Sequence, residues 1–496
     1  MKPRMTYFII LNSLMVYVKN TAAIIRKRSV MKIASAVLFG HLLFSFSYAQ
    51  QTWMRTYGGT GWDYGYAVQQ TSDGGYIIVG RTSSFGAGVE DVYLIKTNIF
   101  GDTLWTRTYG GTGSDVGFAV QQTTDAGYII TGHTAYGSTY YVYLIKTNAS
   151  GDTLWTRTYD AYARGQSVQQ TSDGGYIIVG HTYSHGAGWD DVYLIKTNAS
   201  GDTLWTRTYG GTSYDCGYSV QQTSDGGYII AGRTWSFGTG EYDVYLIKTN
   251  ASGDTLWTRT YGGTSWDEGY SVQKTSDGGY IITGYTYVES PNYQDVYLIK
   301  TNASGDTIWT RTYGGAGGDL GNSVKQTTDG GYIIAGHSGS FGAGEYDVYL
   351  IKTNASGDTL WTRTYGGGAR DEGHSVQQTS DGGYIITGLT ESFGAGNYDV
   401  YLIKTDSDGN IGVEEKSSGR FYPLTANFSL TVVPNPFTSF ATVAGRETEW
   451  FVLYDITGRQ VGAYKGDKVG KGLSPGVYFL QAKEKDTMPV QLVKIH

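Results

Sequence analysis

The sequence predicts an all-β fold in which seven copies of one four-stranded unit close on themselves, and three observations predict it. First, a phrase best read at 198–209, N-A-S-G-D-T-L-W-T-R-T-Y, returns with its tryptophan at Trp53, Trp105, Trp155, Trp205, Trp257, Trp309 and Trp361, at intervals of 50 or 52 residues. A fixed period of that size marks a small unit that cannot bury its own apolar faces and stacks on copies of itself. Second, glycine (73) and tyrosine (44) are abundant among the 496 residues while proline numbers 7, a balance that suits short strands, tight turns and aromatic packing. Third, no stretch has a helical period bounded by caps.

Within one period, residues 217–261, four segments read as strands: G-Y-S-V-Q-Q-T (A), G-Y-I-I-A-G-R-T (B), D-V-Y-L-I-K-T-N (C) and T-L-W-T-R-T-Y (D). S-D-G-G separates A from B and A-S-G-D separates C from D. Both are hairpin signals, so the strands form an antiparallel meander. In strand C, Val244, Leu246 and Lys248 point one way and Tyr245 and Ile247 the other. A sheet apolar on both faces is sandwiched, as a propeller blade is by its neighbours. The A-B-C triplet occurs seven times, starting near Gly65, Gly117, Gly165, Gly217, Gly269, Gly321 and Gly373. The first D phrase has no triplet before it and the last triplet has no D after it. The N-terminal strand therefore completes the seventh blade of a β-propeller and removes the open edges.

The D-G-G-Y-I-I-x-G core, the D-V-Y-L-I-K strand and the W-T-R-T-Y-G-G tail resemble the repeats of bacterial extracellular β-propellers over residues 53 to about 410. That resemblance implies the fold. It leaves activity open, because enzymes, lectins and scaffolds share the architecture.

The expected layout is a leader at 1–49, the propeller at 50–412, a linker at 413–427 and a small Ig-like β-sandwich at 428–496. Ile33 to Phe46 is a short apolar run followed by Ser47-Tyr48-Ala49, the pattern of a secretory signal peptide cut near Gln50, with Met31 as the expected start. The net charge of −7 carries no basic run outside the leader, so no nucleic-acid partner is expected. A single cysteine, Cys216, rules out an internal disulfide framework and a cysteine-based zinc cluster, and no cofactor is expected.

The A–B and C–D turns, nearly constant, lie at one end of each blade; the B–C and D–A loops, which vary, lie at the other. Aromatic residues collect at the variable end, among them Trp62, Trp189, Tyr214, Trp235, Trp266 and Tyr287. Such rings either stack on sugars or anchor a protein partner, or they merely cover blade ends. Strand B closes on Arg81, His133, His181, Arg233, Tyr285, His337 and Leu389, a polar ring in which histidine is a candidate ligand or proton carrier but is more often solvated. Six D–A loops place Asp two residues before strand A (Asp63, Asp115, Asp215, Asp267, Asp319, Asp371), and six C strands open with Asp (Asp91, Asp191, Asp243, Asp295, Asp347, Asp399). Calcium ligation is one reading; repetition in nearly every blade favours capping of loop backbone. The arginines of W-T-R-T-Y are expected to pair with strand or turn carboxylates.

The G-D-T-L-W segment resembles the docking repeat of quinoprotein dehydrogenases and the Asp-box of sialidases only at the turn. Catalysis needs unlike residues converging at one point. No acid pair unique to particular channel-facing strands stands out, and no catalytic residue is assigned.

After Gly412 the period stops. Pro434-Asn435-Pro436-Phe437, Tyr454-Asp455-Ile456-Thr457-Gly458-Arg459, Gly476-Val477-Tyr478-Phe479 and Leu492-Val493-Lys494 resemble the C-terminal sorting domain of type IX secretion cargo. The resemblance implies recognition by an outer-membrane secretion machinery and a secreted or cell-surface address. The expected function is a binding or scaffold propeller that recognises a glycan or a surface protein through its B–C and D–A loops. A carbohydrate-active hydrolase or lyase and a purely structural surface protein are the alternatives.

Overall fold

The computed structural model describes residues 52–288 and 293–412, and in the C-terminal part 432–433, 440–443, 450–455, 460–465, 468–471, 473–482 and 490–494. The leader, the linker and four sorting-motif residues, Pro434, Asn435, Pro436 and Gly458, lie outside the described residues. The chain divides after Gly412 into two compact units, and no helix occurs among the described residues.

The first unit is seven four-stranded antiparallel sheets. Blade 1 holds strands A (Asp63–Gln70), B (Tyr76–Thr82), C (Asp91–Thr97) and D (Thr103–Tyr109). Blades 2 to 6 repeat this order over 115–161, 163–209, 215–261, 267–313 and 319–365. Blade 7 supplies A to C from 371–405 and takes Trp53–Tyr57 as its D strand, in register from Trp53 opposite Lys404 to Tyr57 opposite Val400. The same tryptophan–lysine pairing joins Trp105 to Lys96 in blade 1. The protein is thus a seven-bladed β-propeller closed by its N-terminal strand. Strand A begins two residues earlier than the sequence suggests, at Asp63 paired with Thr82, because a bulge after Gly65 absorbs one residue and lets the start of the strand rejoin the sheet.

The core lies between blades. Tyr76, Ile78, Tyr93 and Ile95 of blade 1 pack with Trp53, Ile385, Val400 and Leu402 of blade 7, while Ile77, Val79, Val92 and Leu94 pack against blade 2. Strand C is buried on both faces, which is why its sequence is apolar throughout. Strands A ring the axis: Gln69 Oε1 accepts from the Gln122 amide at 2.6 Å, and Gln121, Gln169, Gln221, Gln273 and Gln377 do the same to the next blade. Lys325 takes the corresponding place in blade 6.

Each A–B turn is held by one buried lysine. Lys96, 4% exposed, donates to the Thr97 carbonyl at 2.9 Å and pairs with Asp73 at 2.9 Å; Asp73 also accepts from the Thr71 hydroxyl and the Gly75 amide. The pair recurs in all seven blades. Partial burial raises the Asp225 carboxyl, but Lys248, Thr223 and the Gly227 amide outweigh it and hold the group at about 2.

On the outside, each D strand docks on the following blade. Tyr109 Oη donates to the Gly151 carbonyl at 2.6 Å, and a Cβ on Gly151 would lie 2.7 Å from the Trp105 ring. Gly151 also holds a φ of 78°, so glycine is required there twice over. Arg107 pairs with Asp152 at 3.3 Å, and four further blades repeat this pair; Arg363 meets Asn410 instead.

The second unit has a three-stranded and a four-stranded sheet sharing a core of Ala441, Val443, Phe451, Leu453, Val469, Tyr478 and Leu480. Tyr454 and Asp455 end one strand (Trp450–Asp455), Gly476 and Tyr478 lie in Gly476–Ala482, and Lys494 ends Val490–Lys494.

Trp53 is 7% exposed, whereas Trp155 in the same position of blade 2 is only half-buried. Trp53→Ala is expected to cost about 3–5 kcal/mol, more than Trp155→Ala, in denaturant titrations; equal losses would show that closure has no special weight.

Candidate binding rim and channel mouth

The variable loops are built by their own side chains. Thr82 Oγ1 accepts from the Ser84 and Phe85 amides at 3.0 and 3.2 Å. Asp91 Oδ2 accepts from the Ala87 and Gly88 amides, both at 2.9 Å. Asp63 Oδ2 accepts from the Gly59 amide at 2.8 Å and the Ser84 hydroxyl at 2.6 Å. These aspartates cap loop backbone, the role their repetition favours. The two sets also meet across blades: a Cβ on Gly58 would lie 2.0 Å from Asp399 Oδ1 and 2.6 Å from Asp63 Oδ2, so both carboxylates flank one glycine. Burial and then the partner acid push Asp295 up to about 6, and Asp191 and Asp243 reach about 6 for the same reasons, eased by one backbone hydrogen bond each.

Four of the predicted aromatics join into one ridge. Trp189 stacks on Tyr214 with centroids 5.3 Å apart, Tyr214 on Trp235 at 6.2 Å, Trp235 leans on Tyr242 at 5.1 Å, and Tyr242 meets Trp266 edge-on at 6.1 Å. Tyr183 extends the ridge beyond Trp189 at 6.0 Å. It runs from blade 3 to blade 5, and Trp189, Trp235 and Trp266 are each about half exposed. Tyr242 was not among the predicted residues. Its signal was the tyrosine that precedes the first Asp of strand C, shared with Tyr346 and Tyr398. Trp62 stands at the junction of blades 7 and 1, edge-on to Tyr398 at 6.5 Å, away from the ridge. Tyr287 is half-buried and its amide donates to the Trp266 carbonyl at 2.9 Å.

The histidines correct the expectation of solvated loop residues. They lie within strand B, opposite the second residue of strand A, Val116 for His133 and Arg164 for His181, at the mouth of the central channel. His133 is 6% exposed and packs against Phe118 and Tyr140, each at 5.6 Å. Burial first, then Arg164, Arg81 and His181, press it down to about 3. Burial followed by Arg164 and Arg233 lowers His181 to about 4. Both are neutral at ordinary pH, and neither Nδ1 has a hydrogen-bond partner.

A second correction concerns acids on channel-facing strands. Glu268 and Glu372 occupy the second position of strand A in blades 5 and 7, 3% and 6% exposed. Arg233 reaches Glu268 from blade 4 at 2.6 Å, and Tyr285 Oη donates to it at 3.0 Å. Arg370 pairs with Glu372, and His374 Nε2 lies 3.1 Å from it. Desolvation raises the Glu372 carboxyl, but His374, His337 and Arg370 overcome this and hold it far below the usual range. The sequence signal was the middle residue of D-x-G, which reads Tyr64, Val116, Cys216, Glu268, Leu320 and Glu372, with Arg164 in the equivalent place of blade 3. Near-identity of the blades hid this non-repeating column.

No protein-family model matches the chain. It is similar to the regulatory protein FlaEY of Caulobacter vibrioides, 26% identical over an alignment of 202 residues that covers 35% of this chain and 21% of that protein. The match thus spans about a fifth of the relative's length. Among solved structures it is similar to a fungal alcohol oxidase of the AA5 family in complex with copper (12% identity, 90% of this chain, 100% of the other, TM-score 0.44), the polysaccharide lyase Uly1 (12%, 69%, 90%, 0.43) and the β-propeller domain of the Trilobed protease from Pyrococcus furiosus (10%, 73%, 100%, 0.41). Likenesses this distant say nothing about this chain's chemistry.

Two sets of carboxylates predict the pH response. Turn aspartates such as Asp225, lowered from 3.8 to about 2, add stability above the unfolded value that is lost as pH falls from about 4 to 2. Rim aspartates such as Asp295, raised from 3.8 to about 6, cost stability as pH rises from about 4 to 6. Thermal melts across pH 2 to 8 are expected to peak between about 4 and 5, and a plateau from 6 upward with no decline between 4 and 6 would refute the rim contribution. Glu268→Gln, which leaves Arg233 without its countercharge, is expected to cost about 3 kcal/mol in denaturant titrations.

Proposed function

We propose that this propeller is a secreted or cell-surface binding protein that takes a glycan along the aromatic ridge of its variable rim. The observation that carries the reading is the continuity of the ridge. Six rings from Tyr183 to Trp266 follow one another at 5.1–6.2 Å, on a backbone fixed by the packed blades. Indole and phenol faces suit the C–H faces of pyranose rings, and a row of them suits several consecutive sugars. Glu268 and Glu372 do not favour the hydrolase alternative, because each is held by arginine within the mouth. Export rests on the leader and on the tail's resemblance to sorting domains, with the outer-membrane secretion machinery as partner.

Replacing Trp189, Trp235 and Trp266 together with Ala is expected to leave the melting temperature within a few degrees and to weaken retention on polysaccharide matrices at least tenfold. Unchanged retention overturns the ridge as the binding surface. For export, deletion of residues 428–496 is expected to leave the propeller in the periplasm of a host with type IX secretion; its appearance at the cell surface would overturn the sorting role.

A further inference from the structure

A cavity opens in the channel mouth between blades 1 and 3, apart from the ridge. It is a cavity of about 710 Å³ lined by Tyr66, Arg81, Phe118, His133, Tyr140 and Arg164, with Glu90 at its edge. That volume falls in the range of small-molecule sites, roughly 300–1,000 Å³.

Its charges do not balance. Arg81 is paired with Glu90 at 2.8 Å and lies over the Tyr64 ring at 4.0 Å. Arg164 lies over Tyr140 at 4.3 Å and makes no direct ion pair among the described residues; the acid that feels its charge, Asp190, stands outside the cavity lining and shares Arg233 as well. Stacking of one guanidinium face on a phenol leaves the in-plane N–H edges available, the geometry that receives a carboxylate in two parallel bonds. His133, buried and neutral, keeps a ring nitrogen without a partner beside it. Behind these groups Tyr66, Phe118 and His133 form a continuous wall, with centroids 5.1 and 5.6 Å apart. Repetition explains none of this. The other blades carry Tyr64, Val116, Cys216, Glu268, Leu320 or Glu372 where blade 3 has Arg164, and Tyr140 belongs to the extended B–C hairpin of blade 2.

We propose that this cavity binds one carboxylate-bearing pyranose of an acidic, uronate-type glycan, with Arg164 receiving the carboxylate and the Tyr66–Phe118 wall receiving the apolar face of the ring. The combination decides the class. A free anion would leave the wall unused, and a neutral sugar would leave Arg164 without a partner. Glu90 sets the strength of the site by neutralising the second cation, Arg81.

The test is calorimetric titration of the full chain with tetragalacturonate, with cellotetraose as the neutral counterpart and with hexaglutamate as an acidic peptide. Tetragalacturonate is expected to bind at least tenfold more tightly than cellotetraose, and added salt is expected to weaken it. Arg164→Gln should lose tenfold or more for the acidic sugar alone. Arg164→Lys should recover only part of that loss, because an ammonium lacks the planar fork. Glu90→Gln should tighten binding several-fold, an outcome that a misfolded variant cannot produce. Failure of tetragalacturonate to bind, equal affinity for cellotetraose, or indifference to Arg164→Gln overturns the proposal. Equal and Arg164-dependent binding of hexaglutamate overturns it in favour of an acidic peptide. The inference stands apart from the ridge: Arg164-dependent binding that survives loss of the ridge tryptophans leaves it standing, while the ridge reading is decided by retention on polysaccharide matrices.

Discussion

The ring depends on how each D strand seats on the blade that follows it. A tryptophan lies against a turn glycine, a tyrosine hydroxyl reaches the carbonyl of the same glycine, and an arginine reaches the next turn, as Trp105, Tyr109 and Arg107 do to Gly151 and Asp152. Any side chain on that glycine would separate the blades at their outer edge. Because the spacing is set by contact between identical parts, each blade takes the same angle to its neighbour, and seven of them return to the start. The strand borrowed from the N-terminus obeys the same rule: Tyr57 donates to the Gly101 carbonyl at 2.6 Å.

This arrangement separates structure from recognition within a single repeat. Lysine and aspartate at the A–B turn, and the apolar residues of strands B and C, are nearly invariant because a buried cation or an inter-blade contact fixes them. At the opposite end, the second residue of strand A, the strand B residue opposite it and the residues around the strand C aspartate vary, since they face the channel or the rim. The mouth has consequently become asymmetric. Around blades 4 to 7 the cations Arg233 and Arg370 are matched to Glu268 and Glu372, whereas Arg164 in blade 3 makes no direct ion pair among the described residues and is offset only by the field of Asp190. Channel polarity is thereby set by single substitutions that leave the packing of the ring untouched.

Fold and site were legible to different depths. Trp53 without a preceding triplet and Thr405 without a following D phrase were enough to give both blade number and mode of closure, because counting repeats needs no knowledge of side-chain direction. The bulge after Gly65 was not legible, since nothing in G-Y-A-V distinguishes a strand with an extra residue from one without. On the rim, Trp189, Trp235 and Trp266 could be found as aromatics in variable loops, but their union through Tyr214 and Tyr242 required three dimensions. Arg164, Glu268 and Glu372 were missed for another reason. A repeat directs attention to what recurs, and these residues sit in a column of strand A that changes from blade to blade.

Closure by the first strand also imposes an order in time. Trp53–Tyr57 is the first strand of the ring to be synthesised, yet its partner, Asp399–Thr405, is the last. At roughly 5–20 residues per second, the nascent chain carries an unmated strand and an unfinished seventh blade for tens of seconds. Earlier blades are free to assemble on one another during that interval, while the final ratchet waits for the ribosome to pass Thr405. A pause or truncation upstream of that codon would therefore yield an open crescent with two sticky edges, the form most prone to join end to end with its own copies.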